Sequence, residues 1–172
     1  MDEFAERYRS LAVAACEWRA FELGDPEALA EDALRRARKP DLKGLYQAIG
    51  EVVSEAYRRA ASKKPLFAIF QNISPKIEYT TMADLAAEAL RNLRVRDADV
   101  LRHAYWDGLT VAEIEEITGR PAAKVEAELA TALANYAARL QREMERHPVA
   151  DAEPSPDPVT WLKTAKPGEH WR

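Results

Sequence analysis

"DGLTVAEIEEITGRPAAKVEAELATAL", residues 107–133, is the stretch on which the reading of the chain turns. A short helix is predicted over 111–118, with Gly108 and Gly119 marking the turns on either side of it. After Pro121 a longer run begins, with Val125, Leu129, Leu133, Tyr136 and Leu140 on one face. Two helices joined by so short a turn have the layout of a helix-turn-helix, in which the second helix enters a DNA groove. Stepping at about 100° per residue places Ala123, Ala127, Ala130, Ala134 and Ala138 opposite the apolar stripe. Lys124 and Thr131 fall beside these alanines, with Glu126 and Glu128 on the flanks.

Working outward, helices are predicted over 82–92, 97–106, 111–118 and 121–146, with "TMAD" at 81–84 read as a capping box in which aspartate replaces the usual glutamate. Upstream, Phe4, Tyr8, Leu11, Ala15 and Trp18 mark a helix over 3–23, and "GDP" ends it. A second helix starts at Glu27, acidic at its start and basic at "RRARK", the order that the helix dipole favours. A third runs from about Leu45 to Ala61 and buries Leu45, Ile49, Val52, Val53 and Ala56. "SKKPLFAIFQNISPKIEYT", 62–80, has no helical period and reads as an ordered linker. Beyond His147, five prolines in the last 26 residues predict a mostly irregular tail, and its Trp161 and Trp171 either dock on the body or a partner or belong to a disordered end. No strand pattern or internal repeat is visible. The expected fold is all-α, two small helical domains joined by a linker.

A net charge of −4 gives the molecule no general attraction to phosphate, so any nucleic-acid contact needs a local basic patch. Cys16 is the single cysteine, which excludes an internal disulfide and a cysteine-based zinc cluster and fits a reducing compartment. The N-terminus has no signal-like apolar run, and no window approaches the roughly 18 apolar residues of a membrane span. A cytoplasmic protein with no membrane contact is expected.

At 93–119, "LRVRDADVLRHAYWDGLTVAEIEEITG" resembles the C-terminal DNA-binding domain of bacterial RNA polymerase sigma factors of the extracytoplasmic-function type. The matching pieces are Leu93, Val100-Leu101, Tyr105, Gly108-Leu109-Thr110, Ala112-Glu113-Ile114, Ile117 and Gly119. "DPEALAEDAL", 25–34, is similar to the second helix of the sigma N-terminal domain, with Glu31-Asp32 in place of a Gln-Glu pair and Leu34 in place of an aromatic. "LYQAIGEVVSEAYRR", 45–59, has the length, Leu-Tyr start and Arg-Arg end of the promoter-melting helix. The resemblance covers 25–59 and 82–140. It implies a sigma N-terminal-like helical domain over 1–61, the linker over 62–80, a sigma C-terminal-like helix-turn-helix domain over 81–146 and the Pro-rich, Trp-containing tail over 147–172. It also implies core RNA polymerase and promoter DNA as partners, with Asp25, Glu27, Leu29, Glu31, Asp32 and Arg35 at the polymerase-binding surface.

The departures bear on DNA. "KPDLKG" is short where relatives carry a longer basic loop and a tryptophan near Gly44, and Ile49-Gly50-Glu51 replaces Ala-Arg-Asn on the melting helix. Phosphate contact through that helix rests on Arg58, Arg59, Lys63 and Lys64, which also read as a solvated helix end. The DNA-binding candidates of the C-terminal block are Thr110, Arg120, Lys124, Glu126, Glu128 and Thr131, and relatives carry cations at the last three. From 113 to 131, five acids oppose two bases. The alanine face reads either as a close-packing surface for a regulatory partner or a dimer, or as helix-forming filler.

No phosphate loop, dinucleotide fingerprint or nucleophile elbow is present, and His103, His147 and His170 lack metal-ligand spacing. Glu113 and Glu116 read as a solvated face, and His103 with Tyr105 and Trp106 as packing behind the helix-turn-helix. No catalytic residue, metal or cofactor is expected. The function expected from the resemblance is transcription initiation, with polymerase contact ahead of promoter recognition. The alternatives are a sigma-like protein that has lost promoter binding and regulates polymerase or another sigma factor through protein contacts, for which apolar "PLFAIF" in the linker speaks, and a helix-turn-helix protein unrelated to polymerase.

Overall fold

The computed structural model describes residues 3–21, 23–63 (backbone alone at Lys63), 79–152 and 157–167. Among them every regular element is an α-helix: α1 Glu3–Arg19, α2 Pro26–Arg36, α3 Leu42–Lys63, α4 Met82–Arg91, α5 Val95–Tyr105, α6 Val111–Thr118, α7 Ala122–Arg146 and α8 Pro158–Thr164. The chain divides into two compact units, the first holding α1 to α3 and the second, 78–166, holding α4 to α8. Most of the expected linker, 64–78, lies outside the described residues.

The first unit is a three-helix bundle whose interior is largely alanine. Ala12, Ala15 and Cys16 of α1 meet Ala30 and Ala33 of α2 and Leu45, Ile49 and Val52 of α3. Small side chains let the axes approach, and the Phe4 and Tyr8 rings close the edge half-buried. The buried face of α1 therefore centres on Ala12 and Cys16, with Leu11 and Trp18 at its margin. Asp25 caps α2 by accepting a hydrogen bond from Glu27 N (3.2 Å), and Pro26 occupies the first turn, where its missing N–H costs nothing. The third helix starts earlier than its apolar pattern does, because Asp41 Oδ1 accepts from Gly44 N at 2.7 Å and nucleates the turn. Gly44 is required there: a Cβ would stand 2.5 Å from the Lys39 carbonyl oxygen.

In the second unit, α7 packs along α4, α5, α6 and α8. Met82, Leu85, Leu90, Leu101, Ile114 and Tyr136 are fully buried between them. The capping box opening α4 is present: Thr81 Oγ1 accepts from Asp84 N (3.3 Å) and Asp84 Oδ2 accepts from Thr81 N (2.9 Å). Because α7 is covered from several sides, its buried stripe runs Val125, Ala132, Tyr136, Leu140 and Glu143, whereas Leu129 and Leu133 are half-buried.

The expectation of an irregular tail fails at α8. Asp157 caps that helix, accepting from Val159 N (3.1 Å) and Thr160 N (3.3 Å), and Pro158 is its first residue rather than a breaker. Leu162 and Ala165 are buried, and Trp106 Nε1 donates to the Leu162 carbonyl at 2.8 Å. Trp161 sits half-buried on this helix; His170 and Trp171 lie outside the described residues. The turn after α7 is also ordered, with the Tyr79 and His147 rings 4.5 Å apart and Asp151 Oδ1 accepting from Met82 N at 3.0 Å.

Candidate functional site

The turn at 119–121 that sets α6 against α7 is built by local chemistry. Thr110 Oγ1 accepts from Glu113 N (3.3 Å), and Glu113 Oε2 accepts from both Thr110 N and Thr110 Oγ1 (2.8 Å each), so the first turn of α6 is closed reciprocally. At its other end Gly119 adopts φ 68°, a left-handed conformation natural for glycine, and its N–H reaches the Glu115 carbonyl at 2.7 Å. Thr118 Oγ1 donates to the Ile114 carbonyl (2.6 Å) and accepts from Arg120 N (3.4 Å). Pro121 then starts α7 without a capping side chain. Ile114 and Val125, both at zero exposure, tie the two helices to the core. Behind them His103 Nδ1 lies 3.1 Å from Asp107 Oδ2, the Asp107 side chain being fully buried, so this histidine belongs to the packing of the unit.

The exposed start of α7 presents Ala123, Lys124, Glu126, Ala127, Ala130 and Thr131 to solvent. Thr131 has turned its hydroxyl hydrogen back to the Ala127 carbonyl (2.8 Å) and keeps only acceptor capacity. Thr110 spends its hydroxyl on the cap. Glu128 behaves differently from Glu126: its side chain is 17% exposed, and its two oxygens pair with Arg96 of α5 and Arg120 of the turn. Sequence position placed both glutamates on the flanks, but only Glu126 is a free surface acid. Arg120 is thereby held, 22% exposed, against an internal carboxylate. Arg96 went unremarked in the sequence because its partner is 32 positions away and only the packing of α5 on α7 brings them together. The five alanines of the outward face are all exposed.

The first unit carries the other group of candidates. Along α2, Glu27, Glu31 and Arg35 are exposed at successive turns. Glu31 reaches Arg9 of α1 (3.0 Å), and Asp32 is drawn to Arg35 (2.9 Å) and Arg36 (2.7 Å). Desolvation works against the charged Asp32, but the hydrogen bonds from Arg35 and Arg36 prevail and hold its carboxyl below the usual range. Asp25 is spent as the cap and Leu29 is packed half-buried against the core, so these two shape the helix more than they present it. On α3, Arg59 pairs with Glu55, which also holds Arg36 (2.9 Å), and the hydrogen bonds from Arg36 and Arg59 hold Glu55 below its ordinary value. Arg58 Nε donates to the Ser54 carbonyl (3.4 Å), leaving the tip of its guanidinium exposed. The Lys63 side chain and all of Lys64 lie outside the described residues, so the four-residue basic group is represented by Arg58 and Arg59.

Among the described residues no three histidine, cysteine, aspartate or glutamate side chains are grouped to hold a metal ion. No helix among them is long and apolar enough to cross a membrane. Residues 83–135, which contain α5, α6, most of α4 and the first half of α7, match the family model described as Sigma-70, region 4. This segment is similar to that family over its whole helix-turn-helix. Neither a curated protein nor a solved structure matches the chain.

Proposed function

We propose that this protein is a sigma-factor-like component of transcription initiation, cytoplasmic, binding core RNA polymerase and meeting promoter DNA through the α6–α7 helix-turn-helix. The observation that carries the reading is the capped, glycine-turned pair of helices within the stretch similar to Sigma-70, region 4. The N-terminal likeness over 25–59, of the extracytoplasmic-function type, supports polymerase contact by the outward face of α2, with Glu27, Glu31 and Arg35 in direct contact and Asp25, Leu29 and Asp32 setting the helix. At the DNA, Lys124, Glu126 and Thr131 are the accessible positions. Arg120 and Glu128 are occupied with each other, Thr110 is exposed but spends its hydroxyl on the cap of α6, and Arg58 and Arg59 offer phosphate contacts on the other unit. No catalytic group takes part.

A second reading has its own support in Glu128, which occupies both Arg96 and Arg120 and leaves Lys124 as the single cation on the exposed start of α7. In this reading the helix-turn-helix has passed from promoter binding to protein contact, with the alanine face of α7 meeting a regulatory partner or a second copy. Capture of core polymerase by the full chain, followed by run-off transcription on genomic fragments, separates the two. Binding with transcripts supports the first reading, and binding without transcripts the second. Absence of binding to core refutes both.

A further inference from the structure

The second unit contains eight arginines, and their partners divide them sharply. Arg91, Arg96, Arg102, Arg120 and Arg146 each face a carboxylate, on Glu88, Glu128, Asp99, Glu128 and Glu143 respectively. Among the described residues Arg94, Arg139 and Arg142 have none, and these three line one cleft of about 280 Å³ where the α4–α5 turn meets the second half of α7. Its acidic member, Asp97, accepts from Asn135 Nδ2 at 3.1 Å, and Arg139 Nη2 makes one long contact, 3.3 Å, to the Asn92 carbonyl. In a chain of net charge −4 that pairs its other arginines here, three guanidinium groups against the one carboxylate of Asp97 leave the opening with a local positive field. Val95, the next residue after Arg94 of the lining, is a large apolar side chain left 76% exposed.

We infer that this cleft is a docking site for an acidic segment of a partner protein, whose carboxylates pair with Arg94, Arg139 and Arg142 while an apolar side chain rests on Val95. A guanidinium fork matches a carboxylate with two parallel hydrogen bonds, and three forks around one cleft suit a run of acids better than a single ion. Distance argues against a duplex bound by the helix-turn-helix as the occupant. At about 1.5 Å per residue, Arg139 lies roughly 22 Å along the α7 axis from Lys124, while a major groove is only about 12 Å wide. A duplex holding the start of α7 leaves this cleft free, so the two surfaces are used independently.

The test uses the full chain, labelled for NMR, titrated at low ionic strength with hexaglutamate and, separately, with a random-sequence DNA duplex. Hexaglutamate is expected to shift the Val95 and Asn135 amides and the side-chain Nε–H signals of Arg94, Arg139 and Arg142. Affinity is expected to fall about tenfold in the R139Q/R142Q double variant, two exposed pairs being removed, while an R91Q control leaves it unchanged. Unaltered signals elsewhere in the spectrum establish that the variants remain folded. The inference is overturned if hexaglutamate produces no shift, if the shifts centre on Arg38, Arg58 or Lys124, if R139Q/R142Q binds as the parent does, or if the duplex occupies the same arginines more tightly.

Discussion

Replacing Glu128 by glutamine tests the electrostatic account of the helix-turn-helix directly. The substitution keeps the shape of the side chain and removes the charge that pairs with Arg96 and Arg120. Two opposite costs follow. Each lost ion pair is worth about 0.2–1 kcal/mol at this degree of exposure, so the second unit should lose about 1 kcal/mol in all, equivalent to about 4–8 °C in Tm for a domain of this size. The two guanidinium groups, 57% and 22% exposed while paired, become available to phosphates at the start of α7. Each phosphate contact contributes about 0.9 to the slope of log affinity against log salt. Engagement of both arginines should steepen that slope by about 1.8, which over a fourfold change in salt amounts to about twelvefold in relative affinity. Fluorescence anisotropy on a labelled duplex at 50 and 200 mM salt reads this change, with calorimetry following Tm. A slope identical to the parent's, in a variant that remains folded, would show that Arg96 and Arg120 do not face a bound duplex and would refute the claim that Glu128 limits DNA affinity.

The Tyr136 hydroxyl is buried with no hydrogen-bond partner among the described residues, so Tyr136→Phe should leave stability unchanged or raise it by about 1 kcal/mol; a loss of that size on a denaturant curve would mean the hydroxyl is satisfied. Burial also pushes its phenol above the usual tyrosine range, so its stability contribution is present below about pH 10, where the unfolded chain titrates, and is lost as pH rises beyond it. The parent should therefore fall behind the phenylalanine variant in alkaline melts. At Asp84, burial opposes the charged form, but hydrogen bonds from Thr80 and Thr81 outweigh it and lower the carboxyl. This contribution is held above about pH 4 and disappears as pH falls through the lowered value, so Asp84→Asn should cost about 1 kcal/mol at neutral pH and much less in acid, measured by urea titration at both. Leu162→Ala should cost about 2–5 kcal/mol, since the side chain is fully buried where α8 docks, and should speed hydrogen exchange of the Trp106 indole N–H, which donates to the Leu162 carbonyl. Unchanged exchange would separate α8 docking from that side chain.

Much of the architecture could be read along the chain because it is written in local terms. The threonine three residues before a carboxylate at 81–84, the glycine at 119 and the apolar spacing of 45–56 each act within one or two helical turns, and each appears where expected; the same capping pattern at 110–113 was equally local and is found only in the structure. The same local chemistry was present but overlooked at Asp157-Pro158, where proline density suggested an irregular tail. Side-chain partnership across helices was beyond reach. Whether a glutamate on α7 faces solvent or two arginines depends on how α5 crosses it, and Glu126 and Glu128, on opposite flanks about 200° apart around the helix, have opposite fates because α5 and the turn before α7 cover only the Glu128 side. Arg94, Arg139 and Arg142, 48 positions apart at the extremes, share a cleft because α5 begins where α7 is already half complete. Sequence alone determined the helices, their caps and the turn that makes a helix-turn-helix, since these follow from short-range hydrogen bonding and periodic burial. Tertiary structure decided which charges remain free to act, because pairing a charge requires a partner delivered through space by the packing of another helix.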